Sequence, residues 1–340
     1  MSKVVLIKEN YFANLQIISN HLGSKDKISV VYKDNAYGHG LLEMATLAKE
    51  FGITKAVVQF YEEAKVIESL FEEILILADT NIPTYSHAFH ITINDLSDID
   101  KLPKNTKVHL KVDTGMHRNG INEKDIEVAI LGICRRNLVL TGVYTHHRSA
   151  DKLSSDFYWQ GRNFARVKKT VFTLCEKLSL AIPKFHSANS SAAFRSNNYE
   201  DDFARIGIAQ YGYLESNSVF KLPKLLPVLE LWAEKISTRL LKKGQRIGYS
   251  SFFEAPKDMM VSNYDIGYGD GFFRFNSNKA FKTAQGYNLL GNVSMDNISI
   301  ACEDDEVCLF TDVKELARIN NTISYEILTS IKPYIKKVIK

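Results

Sequence analysis

The sequence predicts an α/β fold: an N-terminal (β/α)8 barrel followed by a smaller, mainly β domain. Three observations carry this. Short β-rich runs alternate with helix-patterned segments from about residue 10 to 215, there are eight such runs, and beyond about residue 222 the helical pattern gives way to β-like runs broken by Gly and Asn/Asp turns.

The strand candidates are "ISVVYK" (28–33), "AVVQF" (56–60), "ILILA" (74–78), "FHITI" (89–93), "VHLKVD" (108–113), "LVLTGVYTH" (138–146), "PKFHS" (183–187) and "IGIAQYG" (206–212). Near-continuous apolar strands separated by helices imply a parallel sheet buried on both faces, and eight suffice to close a barrel. A doubly wound open sheet is the alternative. Between the strands, "GLLEMATLAKEFG" keeps Leu41, Leu42, Met44, Ala45 and Ala48 at helical spacing, and Gly52 supplies a stop. "YEEAKVIESLF", "KDIEVAILGICRRN" and the long "SSDFYWQGRNFARVKKTVFTLCEKL" read the same way. The second domain shows "LELWAEKISTRLLKKGQRIGYSSFF", "MMVSNYDIGYGDG" and "YNLLGNVSMDNISIACEDDEVCLF" as β runs, and "TISYEILTSIKPYIKKVIK" as a closing helix. The expected division is a barrel over 10–222 and a β domain over 223–340, with residues 1–9, which contain "KVVLIK", joining the latter as an added strand.

With 340 residues, 45% hydrophobic and 24% charged, the chain has the composition of an ordinary globular protein with room for two cores. A net charge of +4, with the basic residues scattered, gives no argument for nucleic acid, and the closing "IKKVIK" reads as a solvated helix end. The four cysteines (Cys134, Cys175, Cys302 and Cys308) form no C-x-x-C pair, so neither zinc nor a disulfide framework is expected and a reducing cytoplasm fits. No apolar run reaches the roughly 18 residues of a membrane span, and "MSKVVLIK" is too short for a signal peptide.

Residues able to do chemistry fall at the carboxyl ends of the strands: Lys33 on the first, Lys111 and Asp113 on the fifth, His146 on the sixth, His186 on the seventh, with Arg205 introducing the eighth. In a barrel these ends converge on one face, where active sites are built. A lone strand-end lysine is usually just a solvated charge, but "NAYGHG" after Lys33 adds the Tyr37 hydroxyl and a glycine-flanked turn into a helix, a pattern able to hold a phosphate near the amine. Lysine, phosphate and an aldehyde-bearing ring belong together, which makes pyridoxal 5'-phosphate the leading cofactor.

"VVYKDNAYGHG" resembles the cofactor-attachment motif of the alanine racemases, barrel-type pyridoxal-phosphate enzymes. The likeness continues, in that family's order, through "HLKVDTGMHRNG" (109–120), "GVYTHHRSAD" (142–151), "HSANSSA" (186–192), "ARIGIAQYG" (204–212), "IGYSSF" (247–252), "IGYGDGFFR" (266–274), "GNVSMDN" (291–297) and "TISYE" (322–326). It implies interconversion of L- and D-alanine, supplying D-alanine for peptidoglycan, by two bases on opposite faces of the substrate. Lys33 would act on D-alanine and Tyr249 on L-alanine; a related racemase of another small amino acid such as serine is the alternative. A tyrosine with a pKa near 10 is a weak base, and His146 and Arg205 are the implied relay. Arg205 would also face the cofactor's ring nitrogen, where a guanidinium only donates, unlike the carboxylate of the similar barrel decarboxylases.

The resemblance further implies that Tyr37, Ser190, the Gly207 and Ile208 amides and Tyr325 hold the phosphate. Arg118 and the Met295 amide would take the substrate carboxylate, Asp296 would lie close by, and His186 is read as structural. Lys111 beside Arg118 would be carbamylated, its new negative charge holding the arginine. The site would be shared across a homodimer, with Tyr249 and Met295 reaching the other subunit. Asn292 and Ser294 replace a frequent arginine and cysteine of the access corridor, His147 and Arg148 make a loop more basic than usual, and Ile206 stands for a common proline. Of the rivals, a single-barrel cofactor carrier leaves the β domain unused. A metal hydrolase built on His146, His147, His186 and Asp113 leaves Lys33 unused, so no metal is expected.

Overall fold

The structure is a computed structural model and describes residues 1–195, 199–214, 219–274 and 281–340. The strands, in chain order, are β1 (Lys3–Leu6), β2 (Ile28–Val31), β3 (Lys55–Val58), β4 (Glu73–Ile76), β5 (Phe89–Ile93), β6 (Lys107–Lys111), β7 (Val139–Tyr144), β8 (Lys184–His186), β9 (Ala204–Ile206), β10 (Leu229–Leu241), β11 (Arg246–Ile247), β12 (Phe253–Glu254), β13 (Met259–Tyr264), β14 (Ile298–Ile300), β15 (Glu306–Phe310) and β16 (Lys336–Ile339). They fall into two compact units. One comprises Phe12–Lys33 and Met44–Leu226; the other comprises Met1–Tyr11, Asp34–Glu43 and Pro227–Lys340.

The first unit is an eight-stranded parallel sheet in the order β8-β7-β6-β5-β4-β3-β2-β9. Its strands are short and, apart from the first residues of β3, β6 and β8 and the first half of β7, buried, as a parallel sheet covered on both faces demands. The seam between β8 and β9 is stitched by two backbone bonds, Asp202 N to Phe185 O and Arg205 N to Ala188 O, both 2.9 Å, so the sheet comes close to a closed barrel. The expected helices occur at Leu41–Phe51, Tyr61–Ile67, Ile126–Arg135 and Asp156–Lys177, and Gly52 ends the first of them at φ +96°. The eighth strand differs from expectation. It covers Ala204–Ile206, and "IAQY" after it is a 3₁₀ turn (Ile208–Tyr211). Gly207, at φ −98° and ψ −100°, breaks the strand, and the Gln210 amide turns back to the carbonyls of Val31 (3.1 Å) and Ile206 (2.9 Å). Arg205 therefore sits inside the strand rather than before it.

The second unit is a six-stranded sheet in the order β14-β13-β10-β1-β16, with β15 also on β10. β1 lies between β10, antiparallel, and β16, parallel. The chain's end is thus a strand, which corrects the expected closing helix. The helix stops at Ser330, Pro333 prevents its resumption, and "KKVI" pairs Lys3 with Lys336 through Leu6 with Ile339. Of the lysines expected on a solvated helix end, Lys336 and Lys340 are exposed, but on a strand and just past it, while Lys337 folds back on the carbonyls of Pro333 (2.9 Å) and Ile335 (2.7 Å). Among the described residues no helix is long and apolar enough to cross a membrane.

Candidate active site

Lys33, half-buried, follows β2 by two residues, and after it the backbone does something unusual. Asp34, Asn35, Ala36 and Tyr37 all adopt the left-handed conformation, at φ 56°, 54°, 52° and 53°. Each non-glycine residue there costs roughly 1–2 kcal/mol, so the run persists only because its surroundings over-determine it. Gly38 N and Gly40 N donate to Asp34 O (3.1 Å) and Asn35 O (3.0 Å), Leu41 N donates to Asn35 Oδ1 (3.0 Å), and buried His39 donates from Nδ1 to Tyr37 O (2.9 Å). Gly38, at φ +79°, is indispensable, because a Cβ there would lie 2.1 Å from Leu328 O. The turn buries Tyr37 with its ring centroid 5.8 Å from that of Tyr325. Burial first, then Tyr325 and Asp34, raise the Tyr37 pKa, so its hydroxyl keeps its proton at neutral pH.

In the barrel unit, buried Ser190 accepts from Gly207 N (3.0 Å) and Ala209 N (3.2 Å). Two amides fill its lone pairs, so the hydroxyl proton is left to donate outward. Arg205 is buried and nearly saturated: Nη1 donates to His186 Nδ1 (2.7 Å) and His186 O (3.1 Å), Nη2 to Thr145 O (2.7 Å) and Ser187 O (3.2 Å). Of its five N–H groups, Nε–H alone is unspent among the described residues.

Because Arg205 can only donate, His186 accepts at Nδ1 and carries its proton on Nε2, facing His109 Nδ1 at 3.0 Å. The same logic places the His109 proton on Nε2, facing His90 Nδ1 at 3.1 Å. Burial pushes His90 and His109 down to about 4 and about 3, and His186 well below the usual range, so all three are neutral at pH 7. Gly142 makes the chain sterically feasible, since a Cβ there would stand 2.5 Å from His109 Nδ1.

Positive charge converges around His146. Burial, then Arg205, Arg118 and Lys111, hold its pKa well below 6.5, so the ring is neutral. Burial followed by Arg118 and Arg205 pulls Lys111 down to about 8 despite Asp113. Among the described residues Lys111 Nζ forms no ion pair with a carboxylate, and it lies 5.8 Å from the ring centroid of Tyr144. Arg118 is exposed at the end of a loop shaped by Asp113, whose Oδ1 accepts from the amides of Gly115 (2.8 Å), Met116 (2.9 Å) and His117 (3.1 Å). Such a cluster of cations seeks an anion.

Sequence reasoning missed Tyr144. Its buried ring stacks on His186 (4.7 Å, 10°), lies 4.8 Å under the Arg205 guanidinium and hydrogen-bonds to Thr92 (3.2 Å). Its place in "GVYTHH", two residues before His146, was the available signal. His90 and His109 were missed too, although polar residues inside "FHITI" and "VHLKV" mark inward-facing positions.

In the β unit, Tyr249 projects into solvent from a turn in which Gly248, Ser250 and Ser251 all have positive φ. Buried Asn292 donates from Nδ2 to Tyr249 O (3.2 Å) and so supports the tyrosine's turn. Met295 and Asp296 are exposed, and Met295 O accepts from Gly269 N (2.8 Å). Of the expected set, Lys33, Lys111, Arg118, His146, Ser190, Arg205, Gly207 and Ile208 lie in the barrel unit. Tyr37, Tyr249, Met295, Asp296 and Tyr325 lie in the β unit.

A parallel eight-stranded barrel with cations at its strand ends, joined in one chain to a mainly β unit, defines an isomerase of the amino-acid racemase class once it is set beside known proteins. Residues 8–215 match the sequence model of the alanine racemase N-terminal domain and residues 228–339 that of the alanine racemase C-terminal domain. The chain belongs to the alanine racemase family. It is 48% identical over 337 residues to the alanine racemase of Nitratiruptor sp. and 42% identical over 339 residues to that of Campylobacter curvus, covering 99% of both chains in each case. The solved alanine racemase of Bacillus anthracis with bound L-Ala-P is 26% identical, with a TM-score of 0.88 over all of this chain and 95% of that one. A histidine racemase from Leuconostoc mesenteroides shares the fold at a TM-score of 0.85 and 24% identity, covering 100% of this chain and 98% of that one.

Proposed function

We propose that this chain is a pyridoxal-phosphate-dependent racemase that interconverts L- and D-alanine, acting in the cytoplasm as a homodimer and supplying D-alanine for peptidoglycan. The observation that carries the cofactor assignment is Arg205: four of its donors are spent on His186, Thr145 and Ser187, and the spare Nε–H suits one neutral acceptor such as a pyridine nitrogen. The outward-donating Ser190 hydroxyl and the proton-retaining Tyr37 suit a phosphate. With these groups present, Lys33 would bind the cofactor's aldehyde carbon, and Ser190, Tyr37, Tyr325 and the Ile208 amide would hold its phosphate, while the Gly207 amide, spent on Ser190 Oγ, would act by orienting that hydroxyl. When bound, pyridoxal phosphate supplies the electron sink that acidifies the substrate's α-proton.

The chain's own residues do the rest. Lys33 Nζ, freed when the substrate's amine takes its place, takes the α-proton of D-alanine and Tyr249 Oη that of L-alanine, each returning a proton on its own face. Neutral His146, held by surrounding cations, relays the proton that Tyr249 must shed. Arg118 and the Met295 amide orient the substrate carboxylate, with Asp296 beside them. Lys111, pulled down to about 8, presents more free amine at neutral pH than an ordinary lysine, and the free amine is the form that takes up carbon dioxide to become the carbamate that steadies Arg118.

Borohydride reduction and peptide mapping should fix the cofactor to Lys33, and a chiral assay should show D-alanine forming from L-alanine faster than either serine or histidine is racemised. Reduction at another lysine, or turnover of serine alone, contradicts the proposal. Loss of activity on dilution to monomer tests the shared site.

A further inference from the structure

At the amino-terminal half of the barrel sheet, Glu73 on β4, His90 on β5 and His109 on β6 turn their side chains toward one another, all buried. His109 Nε2 lies 3.1 Å from His90 Nδ1 and 3.7 Å from Glu73 Oε1, and all three ligand atoms fall within 4.8 Å of one another. Zinc bound at about 2.0–2.1 Å in tetrahedral geometry separates its ligands by about 3.3 Å, between these two spacings. The surrounding groups suit a metal as well. Lys184 Nζ holds Glu73 Oε2 (3.0 Å), leaving Oε1 turned to the histidines. Thr141 Oγ1, 3.0 Å from His90 Nδ1, has a second acceptor in Val108 O (3.2 Å), so its proton can leave the His90 lone pair free. His186 Nε2, 3.0 Å from His109 Nδ1, can fix the opposite ring nitrogen of a metal-bound His109.

We propose that Glu73, His90 and His109 form a site for a divalent transition-metal ion of zinc-like preference, and that its occupancy weakens the anchor of Arg205. The coupling follows from the direction of the histidine chain. A metal on His109 Nε2 requires the lone pair there, so the ring's proton moves to Nδ1 and points at His186 Nε2. His186 must then accept at Nε2 and carry its own proton on Nδ1, with no net proton gained or lost. That proton faces Arg205 Nη1 across 2.7 Å, donor against donor, and the guanidinium withdraws. Because Arg205 is assigned to the cofactor's ring nitrogen, metal occupancy inhibits the racemase; this second arm rests on the function proposed above, and the binding arm does not.

Zinc chloride titrated calorimetrically into the full-length holoprotein should bind at one ion per chain, and His90→Asn and Glu73→Gln should each weaken binding by more than about tenfold while keeping the wild-type circular dichroism spectrum. In ¹⁵N spectra, zinc should convert His186 Nδ1 from acceptor to N–H. Racemisation should fall with zinc, recover with chelator, and become insensitive to zinc in His90→Asn. Equal zinc affinity in wild type and both variants, or no binding, overturns the site. Zinc bound by wild type without the His186 shift, or equal inhibition of wild type and His90→Asn, overturns the coupling. A protein that racemises nothing yet binds zinc through these residues sinks only the racemase reading.

Discussion

Arg205 Nη1 lies 2.7 Å from His186 Nδ1, and since a guanidinium only donates, this one contact fixes the tautomer of His186 and, through it, of His109. The barrel interior therefore carries a chain of neutral imidazoles with a single direction, beginning at the arginine assigned to the cofactor.

The contact should be measurable as stability. His186→Phe keeps a flat ring against Tyr144 but removes both acceptor and donor, leaving Arg205 Nη1 and His109 Nδ1 short of partners in a buried site. Loss of about 1–3 kcal/mol is expected from urea unfolding.

The buried histidines set the acid limit. His90 and His147 are pushed down to about 4 and His109 to about 3, from 6.5, by burial first. The unfolded chain then binds more protons than the folded one between about pH 6.5 and 4, so stability falls as pH drops through that window, by of order 1–3 kcal/mol per histidine. Urea midpoints at pH 7, 6, 5 and 4 check this. The His147→Phe variant should show a shallower decline.

Lys111 acts in the alkaline range. Its folded value of about 8 lies below the ordinary 10.5, so the cost of burying the ammonium is fully present below pH 8 and is relieved as pH rises from 8 toward 10.5. In carbon-dioxide-free buffer the wild type should gain stability across that window relative to Lys111→Met. Bicarbonate should abolish the difference, because a carbamate no longer carries the positive charge.

The barrel was legible because buried parallel strands leave continuous apolar runs, and the strand-end residues Lys33, Lys111 and His146 could be placed by position alone. Lys33, Tyr249 and Arg205 drew their assigned roles from motif likeness. What stayed hidden depended on tertiary partners. "KKVI" is a strand only because β1 lies beside it. Arg205 enters β9 because Gly207 ends the strand early. The left-handed run Asp34–Tyr37 defies local propensity and is held by Gly38 and the His39 bonds. Tyr144, His90 and His109 gave a weak signal, because an inward polar residue on a strand looks the same whether it packs, relays or binds.

The central claim is a division of labour between two bases, Lys33 on one face of the substrate and Tyr249 on the other. Tyr249→Phe, incubated with D-alanine in deuterium oxide and followed by proton NMR and chiral chromatography, tests it most directly. The α-proton of D-alanine should still exchange through Lys33, while L-alanine formation drops by about 100-fold or more. Racemisation at the wild-type rate, or loss of exchange and racemisation in equal measure in a variant that still holds the cofactor, would contradict it.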